Sequence, residues 1–184
     1  MRILILGAVS ALAFASPSAA AGFHADIHGG WDSVSIAGAD DDGIAYGAAL
    51  GYDLPVGPNM FVGVEGSIDD SSTKECVGDL LEVGDSLCAK TGRDLSLVAR
   101  LGTNLGDRAK LYVLAGYTNA RLKLSYTDST GTVSDGENGD GVRAGAGLQL
   151  GLGSGAFAKA EYRYSNYESD FSRHQVLVGL GYEF

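Results

Sequence analysis

The sequence of 184 residues has few prolines, cysteines, tryptophans and basic side chains. It contains 3 Pro, 2 Cys, 1 Trp, and 13 Lys and Arg against 23 Asp and Glu, which gives a formal net charge of −10. The scarcity of basic residues excludes a protein that binds nucleic acid through a general basic surface. No segment reaches the roughly 20 apolar residues that a transmembrane helix requires, so a helical membrane protein is excluded as well.

Glycine, in contrast, is abundant. The 28 glycines show no Gly-X-Y period, which excludes a collagen-like chain, and 45% of the residues are hydrophobic, which excludes a wholly disordered one. A chain of this length is expected to form one domain.

Residues 1–21 are predicted to be a signal peptide, and residues 22–184 to be the mature domain. Arg2 precedes an apolar run over residues 3–15, Pro17 ends that run, and three alanines occupy positions 19–21. This order of a positive charge, an apolar run and small residues is typical of a secretory signal. We expect cleavage after Ala21 or one residue earlier.

Cys76 and Cys88 are the only cysteines. An even number of cysteines in an exported chain indicates a disulfide bond. Zinc binding is the alternative, but the sequence has no C-x-x-C motif and no histidine near these two residues.

Apolar residues alternate with small or polar ones in eight segments of the mature chain. In the second segment Ile44, Tyr46 and Leu50 share one face, whereas Gly47 and Asp53 share the other. This period of two predicts β-strands. The eight segments lie near residues 23–31, 44–54, 60–68, 94–102, 111–118, 142–152, 156–165 and 173–184.

Three features favour a membrane barrel over a soluble, lipocalin-like barrel, which would also show alternation. Charged residues recur on the polar face, the segments are about 10 residues long, and the connections alternate between short and long. Membrane-spanning strands of outer-membrane barrels have this length, and their turns and loops alternate in this way. The predicted fold is therefore all-β: an eight-stranded antiparallel transmembrane β-barrel with an up-and-down meander. The parity of the fifth segment changes near Asn119, which we interpret as a β-bulge or as the strand leaving the membrane.

The end of the chain, HQVLVGLGYEF over residues 174–184, resembles the closing strand of bacterial outer-membrane barrels. The stretches FVGVEG (61–66) and AEYRY (160–164) are similar to the OmpA-like, OmpX-like and opacity-type surface antigens. The resemblance implies a location in the bacterial outer membrane, contact with membrane lipids and lipopolysaccharide, and a monomer. It also implies that the barrel-assembly machinery reads the last strand. The residues of that assembly signal are Val178, Leu180, Tyr182 and Phe184.

The charged residues of the polar face are predicted to form an ion network inside the barrel. They are Asp26, Glu65, Arg100, Arg143, Lys159, Glu161 and Arg163. The interior of an eight-stranded barrel is just wide enough for side chains to fill it, so a structural plug is the first interpretation and a narrow ion path the alternative. His24 and His28 share this face and are interpreted as interior histidines with hydrogen-bond partners rather than as a metal site.

Aromatic residues near the segment ends are predicted to form the two girdles of a membrane barrel, rather than a platform for a ligand. They are Phe23, Trp31, Tyr46, Tyr52, Tyr117, Tyr164 and Tyr182.

The long connections are acidic, with residues 40–42, 69–70, 75, 79, 82 and 85 in the first two. Solvated loops are the simplest interpretation; the alternative is divalent-cation binding to lipopolysaccharide, although no EF-hand spacing occurs.

No cofactor, metal or catalytic residue is predicted. His174 is followed by Gln175 and Val176, so the His-x-Ser pair of outer-membrane lipid hydrolases is missing. We therefore expect a non-enzymatic protein that supports the envelope and displays surface loops. A small channel is the alternative, and a lipid hydrolase is a weaker one.

The signal-peptide prediction can be tested by intact-mass measurement after expression in a Gram-negative host. We expect a chain that begins at Gly22 or Ala21, because the alanines provide the small side chains that signal peptidase requires. Leucines at positions 19, 20 and 21 should leave the precursor uncleaved, whereas Ala8→Leu should not. A wild-type membrane protein that retains Met1 would contradict the prediction.

Overall fold

A computed structural model describes residues 22–36, 39–72, 74–78, 86–128, 131–168 and 171–184. In these ranges the chain is all-β, and no helix among the described residues is long and apolar enough to cross a membrane. The strands are β1 (Gly22–Ile36), β2 (Ala39–Pro55), β3 (Met60–Ser71), β4 (Lys74–Gly78), β5 (Ser86–Leu105), β6 (Ala109–Asp128), β7 (Gly131–Gly153), β8 (Ala156–Tyr167) and β9 (Phe171–Glu183).

The strands close into a barrel with eight positions around its circumference. All strands that follow one another along the chain pair antiparallel, except β3 and β4; β1 also pairs with β9, and β3 pairs with β5. β3 and the short β4 pair with successive parts of the same edge of β5, so nine strands occupy eight positions around the barrel. The predicted eight-stranded up-and-down barrel is confirmed. Closure gives the backbone groups of every strand a neighbour, which lipid requires because it offers no hydrogen bonds of its own.

The large apolar side chains point outward and the polar ones inward, as the alternation predicts. In β3, Val62 and Val64 are exposed, whereas Glu65, Ser67 and Asp69 are buried. A soluble barrel would have the opposite arrangement, with apolar side chains in the core. The outward face is therefore a surface for contact with hydrocarbon.

The predicted girdle aromatics lie on this outer surface near both ends of the strands. Phe23 and Tyr52 are register partners near the short turns, and their ring centroids are 4.6 Å apart. Trp31, Tyr46 and Tyr117 are about half exposed near the other end. The remaining two are Tyr164, half-buried, and Tyr182, exposed.

The short connections lie where the sequence indicates them, at residues 56–59, 106–108 and 154–155. In the tightest of these, Gly153, Ser154 and Gly155 all have positive φ, with values of 102°, 54° and 84°. Glycine adopts this left-handed backbone at little cost, which explains the Gly-Ser-Gly sequence.

At the opposite end, the predicted long polar loops are largely strand, which corrects the sequence interpretation. The stretch 69–93 contains the end of β3, all of β4 and the beginning of β5, and the stretch 127–139 belongs mostly to β6 and β7. The strands continue as hairpins past the apolar band. Because both faces of such a hairpin can meet water, its sequence loses the alternation that marks the membrane-spanning part.

The irregularity predicted near Asn119 lies in the neighbouring strand instead. β6 pairs with β7 without a register shift from Ala109 to Asp128. The shift occurs in β5 between Thr91 and Asp94, where Gly92 and Arg93 lie opposite the single Arg121. The prediction of a bulge in β6 itself is therefore wrong, whereas the alternative interpretation, that β6 leaves the membrane near Asn119, stays a prediction.

Cys76 and Cys88 are direct register partners of β4 and β5. Opposite residues of an antiparallel pair have Cα atoms roughly 4.5–5.5 Å apart, which falls within the range that disulfide bonds span. Their side chains lie outside the described part of the structure, so the disulfide bond stays a prediction. The predicted signal peptide, residues 1–21, also lies outside the described residues.

Because the outward face is apolar, the loss of unfolding free energy caused by a charged substitution should depend strongly on its depth in the membrane. Leu101→Arg, in the middle of the outer face of β5, should lower the free energy of unfolding in lipid vesicles by about 2–4 kcal/mol, because it places a charge in the hydrocarbon. Leu105→Arg, on the same face at the turn end, is the matched control and should cost about 0–1 kcal/mol. Urea titration followed by tryptophan fluorescence measures both. Equal losses would contradict the assignment of this face to lipid.

Candidate functional site

The seven residues predicted for the interior network are all buried inside the barrel, each with 5% or less of its surface exposed. They come from β1, β3, β5, β7 and β8, and the barrel brings them together. The list is Asp26, Glu65, Arg100, Arg143, Lys159, Glu161 and Arg163.

Glycines on the inner face make room for these long side chains. A Cβ at Gly147 would collide with the ring of Tyr112, and a Cβ at Gly179 would lie 3.3 Å from Cε of Lys159. The glycine content of the chain therefore has a packing reason: each of these glycines lies directly opposite the large side chain on the neighbouring strand and leaves it the space above the sheet.

Nearest the short turns, Arg100 is the centre of a first cluster. Its Nη1 donates to Nε2 of His24 at 2.5 Å and lies 3.3 Å from Glu65 and 3.4 Å from Asp53. The guanidinium carbon also lies 4.2 Å from the ring centroid of Tyr112, a cation–π contact. Arg100 is held by two carboxylates, an imidazole and an aromatic face.

His28 and Asp26 form the centre of a second cluster halfway along the barrel. Nδ1 of His28 lies 2.8 Å from Asp26, and Nε2 lies 2.6 Å from Asp69. Lys159 donates to Asp26 at 2.9 Å. Carboxylates only accept hydrogen bonds, so a doubly protonated His28 satisfies both contacts.

Arg163 connects this second cluster to the first. It donates through Nε to Glu161, lies 3.4 Å from Asp69, and lies 3.8 Å from Glu65. Glu161 also accepts a hydrogen bond from the hydroxyl of Tyr112 at 2.5 Å. Each of these carboxylates therefore contacts more than one partner.

A third cluster lies toward the loop end, around Asp94. This carboxylate accepts hydrogen bonds from Arg143 at 2.5 Å, Tyr167 at 2.8 Å and Thr118 at 2.6 Å. Arg173 lies 3.1 Å from it as well.

Arg173 also binds Asp32 with two hydrogen bonds, of 2.5 and 2.8 Å. This bidentate geometry matches the planar guanidinium to a carboxylate. Arg143 lies 3.6 Å from Asp69 and so joins the third cluster to the second. The network is thus continuous along the lumen.

The sequence predicts that the three carboxylates of the set pair with its four cations, and the observed pairing differs from this in part. Glu65, Glu161 and Asp26 do contact Arg100, Arg163 and Lys159, as the sequence suggests. Arg143, however, pairs with Asp94 and Asp69, neither of which the sequence analysis included in the network. The placement of Asp69 in an acidic loop was wrong, because this residue is 2% exposed and lies inside the barrel.

Five charged members of the network are absent from the predicted set: Asp69, and four residues that the alternation assigns to the polar face without including them in the network, Asp32, Asp53, Asp94 and Arg173. All share the inward parity of their strands, and that parity was the available signal. Among the described residues, seven buried carboxylates face five buried Lys and Arg side chains and two histidines. The lumen is therefore close to electrically balanced.

Other predicted residues lie elsewhere. The predicted assembly signal of β9, Val178, Leu180, Tyr182 and Phe184, is exposed on the outer face. His174 lies on this outer face too, where its Nδ1 is 2.7 Å from the hydroxyl of Tyr162. Within the described ranges, no group of three or more His, Cys, Asp or Glu side chains is arranged to hold a metal ion.

The lumen opens into a cavity of about 930 Å³ at the short-turn end. Asp53, Phe61, Lys110, Phe157 and Glu183 line it. Lys110 and Glu183 form an ion pair of 2.5 Å across the mouth. Phe61 and Phe157 are buried. The guanidinium carbon of Arg100 lies 5.8 Å from the centroid of the Phe61 ring. The ion network therefore begins directly behind this opening.

A closed antiparallel barrel with an apolar exterior and an ionic interior defines an integral membrane protein of the β-barrel class. Residues 3–184 match the family described as outer membrane protein beta-barrel domain, and the chain belongs to this family. Its location is accordingly the bacterial outer membrane.

A relative and two solved structures agree with this assignment. The 25 kDa outer-membrane immunogenic protein of Brucella ovis is 28% identical over 158 residues, which cover 84% of this chain and 72% of that protein. The structure of Ail, the attachment invasion locus protein of Yersinia pestis, has a TM-score of 0.63 at 19% identity and covers 90% of this chain and 99% of its own. Neisserial surface protein A has a TM-score of 0.59 at 11% identity, with coverage of 88% and 97%. The two structures show the shared fold.

Removing one cation from the network should destabilise the barrel. Arg100→Leu leaves Asp53 without its guanidinium and leaves Glu65 with only the more distant one of Arg163. Breaking a buried ion pair typically costs about 3–5 kcal/mol. The folded form should lose its heat resistance, measured as the temperature at which the compact band on an unboiled gel disappears. Arg108→Leu, in an exposed turn, is the matched control. An unchanged transition temperature for Arg100→Leu would contradict a structural role of the network.

Proposed function

We propose that this protein is a closed, non-conducting barrel that stabilises the outer membrane and presents its long hairpins at the cell surface. The observation that carries the proposal is the continuous network of buried ion pairs that fills the lumen. The proposal includes export through the signal peptide, insertion by the barrel-assembly machinery and a monomeric state among outer-membrane lipids and lipopolysaccharide.

The interior side chains hold one another in place rather than line an open path. Arg173 is 0% exposed and contacts two carboxylates, and Arg163 is 2% exposed and contacts three. An ion that passed through would have to displace these pairs, and separating a buried pair leaves charges without solvation. The geometry therefore supports the plug over the narrow channel.

Surface display is supported by the shape and charge of the loop end. The strands extend past the apolar band as hairpins, and acidic residues outnumber basic ones in this part of the sequence. The Brucella relative is named an immunogenic protein, which fits exposure at the surface. Ail has been crystallised with sucrose octasulfate, a heparin analogue. A polyanion of this kind would be repelled by acidic hairpins, so we infer that the loops here favour cationic partners.

A role without catalysis is also part of the proposal. The interior histidines are each engaged by the network: His24 accepts from Arg100, and His28 lies between two carboxylates. On the outer face, His174 contacts a tyrosine hydroxyl rather than a serine. A lipid hydrolase needs a histidine that can activate a nucleophile, and these contacts do not provide one.

The plug can be tested in planar lipid bilayers. Purified, folded protein should produce no unitary current steps, because the ion pairs leave no continuous water path. Bilayers that receive the same detergent without protein are the control. Reproducible steps whose ion selectivity changes in Arg163→Gln would contradict the closed barrel and establish the channel instead.

A further inference from the structure

The outer surface carries a notch of about 500 Å³ across β1, β2 and β3, near the loop end. Ala48 is the register partner of Ile27 on one side and of Ile68 on the other. Ile27 and Ile68 are 70% and 52% exposed, so a methyl group lies between two larger side chains on the face that meets lipid. The notch is apolar and has room for part of a hydrocarbon chain.

Two opposite charges line the upper end of this notch, together with Tyr46. Asp70 follows Ile68 by two residues on β3, and Arg93 precedes Leu95, the partner of Ile68, by two residues on β5. Both charged side chains therefore lie two residues closer to the loop end than the row of register partners formed by Ile27, Ala48, Ile68 and Leu95. Asp70 accepts the backbone N–H of Ser71 at 2.8 Å.

Arg93 has no carboxylate within 4 Å among the residues that the structure describes, although Asp70 lines the same notch. The neighbouring cation, Arg121, lies opposite the bulge but is directed toward β7, where a Cβ on Gly136 would lie 3.1 Å from its Nε. The other charged groups that line the notch, His28 and Asp69, lie 2.6 Å from each other and belong to the interior network. The notch thus has one guanidinium and one carboxylate that are not paired with each other.

We propose that this notch binds an outer-membrane phospholipid whose head group carries both a phosphate and a primary ammonium. The phosphate would accept hydrogen bonds from Arg93, the ammonium would pair with Asp70, and an acyl chain would cover Ala48. Guanidinium groups bind phosphate strongly, and the apolar notch favours hydrocarbon. A purely anionic head group would meet the charge of Asp70 at short range. The proposal rests on the membrane orientation given under the proposed function.

The experiment is native mass spectrometry of the detergent-purified, folded protein mixed with equal amounts of phosphatidylethanolamine, phosphatidylglycerol and lipid A. The wild type should retain phosphatidylethanolamine preferentially. Arg93→Gln should reduce its retention about fivefold, which corresponds to about 1 kcal/mol for one partly exposed ion pair. Asp70→Asn should abolish the preference over phosphatidylglycerol, and Ala48→Leu should reduce retention of all three lipids by filling the notch.

Arg108→Gln is the matched control, because it removes the same charge from an exposed turn at the other end of the barrel, and it should bind as the wild type does. Equal retention of the three lipids by the wild type, or unchanged retention by Arg93→Gln, would overturn the lipid site. Heat-dependent migration on a gel confirms that each variant is folded. A folded wild type without lipid preference refutes this site alone, whereas a chain that does not fold in detergent refutes the proposed function.

Discussion

Hydrocarbon cannot hydrate a charge or a peptide group, and the rest of this structure follows from that constraint. Backbone groups must pair within the sheet, so the sheet closes and the pairing of β3 with β5 leaves no open edge to lipid. Ionic side chains must turn away from the lipid, so the usual arrangement of a folded protein is inverted. Val64 and Leu97 face outward, and Glu65 and Arg100 face the lumen.

The same constraint places many charged side chains in the lumen, away from water. Buried charges are unfavourable unless each has a partner and further hydrogen bonds. At Asp94 and Asp69 the barrel meets this requirement by sharing: Asp94 accepts hydrogen bonds from arginine, tyrosine and threonine, and Asp69 contacts a histidine and two arginines. Because the clusters are linked through shared carboxylates, a change at one position is expected to affect its neighbours more than independent pairs would.

Much of this fold follows from period-two alternation alone. The face of each strand, the short turns and the inward position of Arg100 or Glu161 need only the parity of the residue along its strand. The partners do not follow, because His28 and Asp69 are 41 residues apart and meet only through the stagger of the strands. The position of Asp69 cannot be predicted in this way, because an aspartate at the end of an apolar segment has the same sequence pattern whether it points into the lumen or lies in a loop. The length of the hairpins cannot be predicted for a related reason: strands that leave the membrane lose the alternation by which strands are recognised in the sequence.

The protein combines a membrane-spanning barrel, whose lumen is filled by ion pairs, with hairpins that extend beyond the membrane. Whether the exterior of the barrel is built to contact lipid is tested most directly by refolding the mature chain from urea with and without detergent micelles. Circular dichroism and gel migration before and after heating measure the folded fraction. An exterior that contacts lipid should give a heat-resistant β-barrel in micelles and aggregates in buffer alone. A monomer that is folded and soluble in detergent-free buffer would contradict it.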